Sequence, residues 1–127
     1  MFSHVMLGTN DIEKSKAFYD AVLSVLGYKE GFYDQKGRCI YLNDESVFLL
    51  TKPIDGEPAT HGNGMTIGFK ASSTDLVDAW HKAGVASGGE PIENPPGARQ
   101  VGDQELYLAY LRDPAGNKIC AMHKVPG

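Results

Sequence analysis

Apolar and polar positions along the chain change period several times, and each change predicts an element. Residues 3–9, "SHVMLGT", read as a strand running into a helix start. Asn10 is a good N-cap with Glu13 three residues on, and Ile12, Tyr19, Leu23 and Leu26 then recur at helical spacing. Gly27 closes that run as the glycine after a helix. Three short strands are predicted next, over 28–33, 38–42 and 46–51, divided by the turn formers "DQKG" and "NDE". Residues 52–64, "KPIDGEPATHGNG", are rich in proline and glycine and make a loop at the midpoint.

After that loop the pattern restarts. "MTIGFKA" is a strand, and Ser72 with Asp75 opens a second helix with apolar positions Leu76, Val77, Trp80 and Ala83, closed by Gly84. A short strand and a long loop over 88–102, "GGEPIENPPGARQVG", lead to the strand "ELYLAYLR". Asp113-Pro114-Ala115-Gly116-Asn117 then makes a tight turn into a last strand. Alternation puts Lys118, Cys120 and Met122 on one face of it and Ile119, Ala121 and His123 on the other. Tyr19 and Trp80, on the apolar stripes of the two helices, belong to the core.

Each half therefore reads strand, helix, strand, strand, strand. His4 and Met65, on the first strands of the two halves, stand 61 positions apart, which is a two-fold internal repeat in element order. The prediction is an α+β protein of one domain: a βαβββ module over about 1–52, a linker over about 53–63, and a second βαβββ module over about 64–127. A helix covers one face of each module's sheet. The uncovered faces must be buried or curl around something, and a cleft lined by both is the expected ligand site.

Composition narrows the function without choosing it. The 127 residues are 42% hydrophobic and 22% charged, as in ordinary globular domains. No apolar run approaches the roughly 20 residues that cross a bilayer, and "MFSHVMLGTND" has no signal-peptide pattern, so a cytoplasmic protein with no membrane partner is expected. Net charge is −4 with no basic patch, which argues against nucleic acid. Cys39 and Cys120 form no C-x-x-C pair, and two reduced thiols in a reducing compartment are expected.

Three stretches, "HVMLGTNDIEKSKAFYDAVLSVLGY", "GNGMTIGFKAS" and "LAYLRDPAGNKICAM", resemble the vicinal oxygen chelate superfamily. It includes glyoxalase I, extradiol dioxygenases, fosfomycin-modifying enzymes and bleomycin-resistance proteins. The resemblance covers essentially the whole chain. It implies the glyoxalase/bleomycin resistance/dihydroxybiphenyl dioxygenase-like fold, with two modules forming a curved mixed sheet around a cleft, and a homodimer whose clefts lie within a chain or across two.

The resemblance also implies where a divalent metal would be held, by imidazoles and carboxylates projecting into the cleft. His4 matches the first-strand histidine. Leu49 occupies a fourth-strand position that some members fill with glutamate, Met65 stands where a second histidine is usual, and Cys120 where the ligating glutamate is usual. A thioether and a thiol cannot supply a carboxylate's charge, so no metal and no other cofactor is expected. The expectation is a protein that binds a small organic molecule in the sheet cleft; the alternative is a metal-dependent lyase or dioxygenase of glyoxalase I type with an altered ligand set.

Met122 joins the cleft candidates as a flexible apolar lining residue. Arg99, placed on the 88–102 loop, is a candidate to close over the cleft mouth. Tyr110 is a candidate wall residue; it shares a face with Tyr107 only across a bulge. His123, opposite in parity to Cys120, is set aside as a ligand, and His61 and His81 are read as solvated.

Overall fold

A computed structural model describes residues 1–126. Strand β1 (His4–Gly8) leads into helix α1 (Ile12–Val25) and strands β2 (Phe32–Tyr33), β3 (Cys39–Leu42) and β4 (Val47–Thr51). The second module runs β5 (Ile67–Lys70), α2 (Thr74–Ala86), β6 (Glu90–Pro91), β7 (Gly97–Val101), β8 (Gln104–Arg112) and β9 (Lys118–Lys124). Strand orders are β1-β4-β3-β2 and β5-β9-β8-β6, with β7 also on β8. In each sheet the first strand pairs parallel to the last, and the other ladders are antiparallel. The first module is βαβββ as expected, the second adds one strand, β7, to that order, and the two form two mixed sheets rather than one. Strands β1 and β5 are the facing edges, and no ladder joins them among the described residues.

The helices start one residue later than the sequence pattern suggests. Asp11, not Asn10, caps α1, its carboxylate accepting from the Lys14 amide at 3.1 Å. Asn10 instead exchanges two hydrogen bonds with the backbone of Ala59, tying the linker down. Ser73, not Ser72, caps α2 by accepting from the Leu76 amide. The α2 helix also runs past Gly84, which is a packing glycine rather than a stop. A Cβ there would collide with Leu111 Cδ1 and crowd Val22 of α1.

That close approach lets α1 and α2 pack together over one shared core. Phe18, Tyr19, Val22, Val77 and Trp80 from the helices are fully buried against Leu50, Leu111 and Ile119 from the strands. Each large apolar side chain contributes about 1.5–3 kcal/mol by leaving water. One buried polar knot joins the modules. The Tyr19 hydroxyl donates to Asp113 Oδ2 at 2.5 Å, and the Asn117 side-chain amide bridges Asp113 Oδ2 and the Gly8 carbonyl. Asp113 Oδ1 accepts from the Ala115 and Asn117 amides, so the "DPAGN" turn is both a hairpin and an inter-module latch.

Two other expectations are corrected. The strand expected over 28–33 shrinks to Phe32–Tyr33. Part of the loop expected over 88–102 is a strand, β7, paired along Gly97–Val101 with β8.

Candidate functional site

Strand parity and pairing settle which side chains leave the core. In β1, Val5 and Leu7 point under the helices, so His4, Met6 and Gly8 line the helix-free face. The register His4↔Val47 and Met6↔Leu49 carries Val47 and Leu49 onto that face, with Ile40 beside Leu49. In the second module Ile119 and Ala121 are core, so Lys118, Cys120 and Met122 line the free face, next to Gly68, Tyr110 and Leu108. His123 is on the helix side, its Nδ1 3.0 Å from the Ala71 carbonyl, as its parity predicts. Tyr107 is also on the helix side and donates to Asp78, which leaves Tyr110 as the tyrosine of the free face.

Met65 is displaced from the expected position. It precedes β5 and is half exposed, at 51%. The reason lies in the caps. Asp11 and Ser73 are equivalent, and they stand 62 positions apart rather than 61. His4 lies seven residues before its cap, and seven residues before Ser73 is Thr66. Val5 and Leu7 then correspond to Ile67 and Phe69, which share their inward parity. Thr66, not Met65, is therefore the counterpart of His4. The cap-to-strand distance was the signal that could have found it.

Arg99 is corrected as well. It sits within β7, and its guanidinium donates to the carbonyls of Asn94, Pro95, Gly97 and Leu108. This staples the 94–97 turn to β8, a fixed structural use rather than a mobile lid. Its charge still counts: Arg99 lies 6.0 Å from the Tyr110 ring centroid, and the Lys118 ammonium lies 5.0 Å from it. Lys118 is also ion-paired with Glu93. Of this cluster, Arg99 and Tyr110 are among the expected cleft residues, whereas Lys118 and Glu93 are not.

Cys120, only 7% exposed, is chemically quiet. Burial pushes its thiol up to about 11, more than the Lys118 charge lowers it, so the thiolate is scarce at neutral pH. Burial likewise raises the Tyr110 hydroxyl above its ordinary value. Cys39, on the core side of β3, is the other free thiol and is also raised by burial. His81 is partly buried rather than solvated, and burial lowers its pKa. His61 is exposed in the linker, as expected.

Two cavities open at the boundary between the modules. The larger, about 320 Å³, has His4, Val47, Gly68 and Phe69 in its walls; the smaller, about 180 Å³, has Met6, Met65, Ile67 and Lys118. Leu49, Cys120 and Met122 line neither. His4 and Gly68 share the larger cavity, and Gly68 is the register partner of Cys120, so those positions do converge.

The residues present do not fit a catalytic divalent ion. Among the described residues no group of three or more histidine, cysteine, aspartate or glutamate side chains is placed to hold one. The four corresponding positions carry His4, Leu49, Thr66 and Cys120, which is one good donor, a hydroxyl and a protonated thiol.

The description that matches this architecture is the Glyoxalase/Bleomycin resistance protein/Dioxygenase superfamily, whose family model spans residues 1–121. The chain belongs to that superfamily. It is similar, at 55% identity and a TM-score of 0.94, to a glyoxalase/bleomycin resistance protein from Albidiferax ferrireducens T118, over 97% of this chain and 98% of that one. At 19% identity and a TM-score of 0.72 it shares the fold of a glyoxalase/bleomycin resistance protein/dioxygenase family enzyme from Burkholderia phytofirmans PsJN, over 97% and 98% of the two chains. It also shares the fold of a lactoylglutathione lyase from Agrobacterium tumefaciens, at 23% identity and a TM-score of 0.66, over 97% and 92%. None of the curated proteins matches. No helix among the described residues is long and apolar enough to cross a membrane.

Proposed function

We propose that this member of the superfamily binds a small organic molecule in the cleft of its helix-free sheet faces, without a tightly held catalytic metal or other cofactor. The observation that carries this is the donor set: His4 stands with Leu49, Thr66 and Cys120, where a metal-dependent member would place imidazoles and carboxylates. Binding alone needs an apolar wall and a few polar anchors. Leu49, Leu108 and Met122 supply the first, and Tyr110 with Lys118 the second.

The working unit in this reading is a homodimer. Met6, Phe32 and Leu42 of the first module and Val101 of the second lie on free-face positions and are 40–58% exposed. A second copy is the simplest cover for two such faces, and exchange of faces between copies would add no donor type to the cleft. The two unpaired cysteines fit a cytoplasmic setting, and the net charge of −4 fits partners other than nucleic acid.

Elemental analysis of the purified protein tests the reading. The expected result is less than a tenth of an ion of nickel, zinc, iron or manganese per chain. About one tightly held ion per chain, lost in His4→Ala, would overturn it in favour of a metal-dependent lyase or dioxygenase.

A further inference from the structure

Four side chains on the helix-covered side of the sheets keep unexpected exposure. Val5, Ile67 and Phe69 have inward parity, and Tyr28 packs on the core beneath them, yet all four are only partly buried. The cause is topological. Strands β1 and β5 face each other as unpaired edges, so the core is open along the seam between the modules. The 320 Å³ cavity occupies that seam. It is a crevice between sheet edges that runs from the free-face residues His4, Val47 and Gly68 into the core.

Its chemistry is divided. The depth is aromatic: Tyr28, Tyr41, Phe48 and Phe69, with Phe48 and Phe69 meeting edge to face at 5.4 Å. The exposed lip mixes the apolar side chains of Met1, Phe2 and Leu42 and the Glu45 carboxylate with donors. Asn43 spends its side-chain oxygen on the amides of Glu45 and Ser46, which leaves its NH₂ to face outward. Lys70 touches Glu45 only at 3.9 Å, and both side chains are more than 80% exposed, so the ammonium remains available. His4 uses Nδ1 on Ser3, which leaves Nε2 for a ligand.

We infer that this crevice is a binding site for a planar aromatic monoanion of one or two rings. The ring enters among Phe48, Phe69 and Tyr28 and stacks at their edges or faces. The anionic group stays at the lip, within reach of Lys70, Asn43 and His4. The volume is at the low end for ligand pockets, which excludes a long or branched occupant. The inference rests on the reading of the chain as a small-molecule binder, but not on where that reading puts the ligand.

Titration calorimetry with 2-naphthoate, its neutral analogue 2-naphthalenemethanol, and cyclohexanecarboxylate tests it. One naphthoate should bind per chain, at least five-fold more tightly than either comparator. Ser46→Trp, which fills the crevice from its rim, should weaken naphthoate at least ten-fold. Lys70→Met, a change at an exposed side chain, should weaken it about three-fold or more and leave the alcohol unaffected. In methyl NMR spectra naphthoate should shift Val5, Leu23 and Ile67. No naphthoate binding at millimolar concentration overturns the inference. So does binding that Ser46→Trp leaves intact. Shifts confined to Leu49, Leu108 and Met122 would also overturn it, and would place the ligand on the free faces while sparing the broader proposal. If Ser46→Trp instead dissociates a dimer, the crevice is a contact between copies and the inference fails.

Discussion

Replacing Tyr19 with phenylalanine isolates one of the bonds that couple the two modules. The ring stays, so no cavity forms and contacts with Phe18, Tyr41, Phe48 and Phe69 are kept. What goes is a fully buried hydroxyl donating at 2.5 Å to Asp113, itself 4% exposed. A hydrogen bond to a charged buried acceptor is worth about 1.5–3 kcal/mol. Asp113 keeps the two turn amides and the Asn117 side chain, which argues for the lower half of that range. With about 2.1 cal/mol/K of unfolding entropy per residue, each kcal/mol moves the midpoint by about 4 °C for a chain of this length. Tyr19→Phe should therefore lower Tm by about 6–8 °C in calorimetry, with one cooperative transition retained. A shift under 2 °C would refute the latch argument, because it would mean that the buried bond adds nothing beyond ring packing.

Three further outcomes follow from the same geometry. Tyr19 and Tyr41 are both raised above the ordinary tyrosine range, mainly by burial, so the folded state keeps protons that the unfolded chain loses above about pH 10. Stability should hold below that pH and fall as pH rises beyond it, as urea titrations from pH 8 to 11 would show; a flat profile would contradict the burial. Cys120 should alkylate with iodoacetamide at least ten-fold more slowly at pH 7.5 than a free thiol, its rate climbing toward pH 11; prompt reaction at neutral pH would make the thiol chemical rather than structural. Gly84→Ala should cost about 1–3 kcal/mol in urea unfolding by overpacking against Leu111, and a neutral result would show that the helices can separate without penalty.

The fold was legible because period and punctuation agreed along most of the chain. Gly27, the two apolar helix stripes and the "DPAGN" turn each named their element directly. Strand β7 was not legible, since Gly97–Val101 is held by its ladder to β8 and by the Arg99 staple rather than by its own composition. The site was legible in part. Alternation placed Cys120 and His123 on opposite faces correctly, but Asn10-Asp11 and Ser72-Ser73 offer two capping residues side by side. Only the side-chain bonds to Lys14 and Leu76 decide between them. Either choice leaves the two caps 62 positions apart, so cap spacing already pairs His4 with Thr66, and the 61-residue pairing with Met65 ignored it. The seam cavity could not be read at all, since it depends on two edge strands failing to meet.

The corrected equivalence makes its own prediction. Thr66 precedes Gly68 by two residues and shares its face, and Gly68 pairs with Cys120. Side chains at Thr66 and Cys120 are thus diagonal neighbours, about 7–8 Å apart at the backbone, a span that an imidazole and a carboxylate can close on one ion. His4 lines the same cavity as Gly68 and supplies a third donor. The double change Thr66→His with Cys120→Glu should therefore create affinity for Ni²⁺ or Zn²⁺. Cys120→Glu puts a carboxylate where a nearly buried thiol sat, so the apoprotein should lose about 1–3 kcal/mol of stability. Metal should return part of that by binding only the folded state, visible as a rise in Tm with added ion. Met65→His with Cys120→Glu is the matched control, because Met65 has the opposite parity and should gain little. Equal metal affinity in the two double variants, or none above wild type in the first, would refute the register. If the first binds metal and adding His4→Ala leaves its affinity unchanged, the modules do not bring His4 to that face, within a chain or between copies.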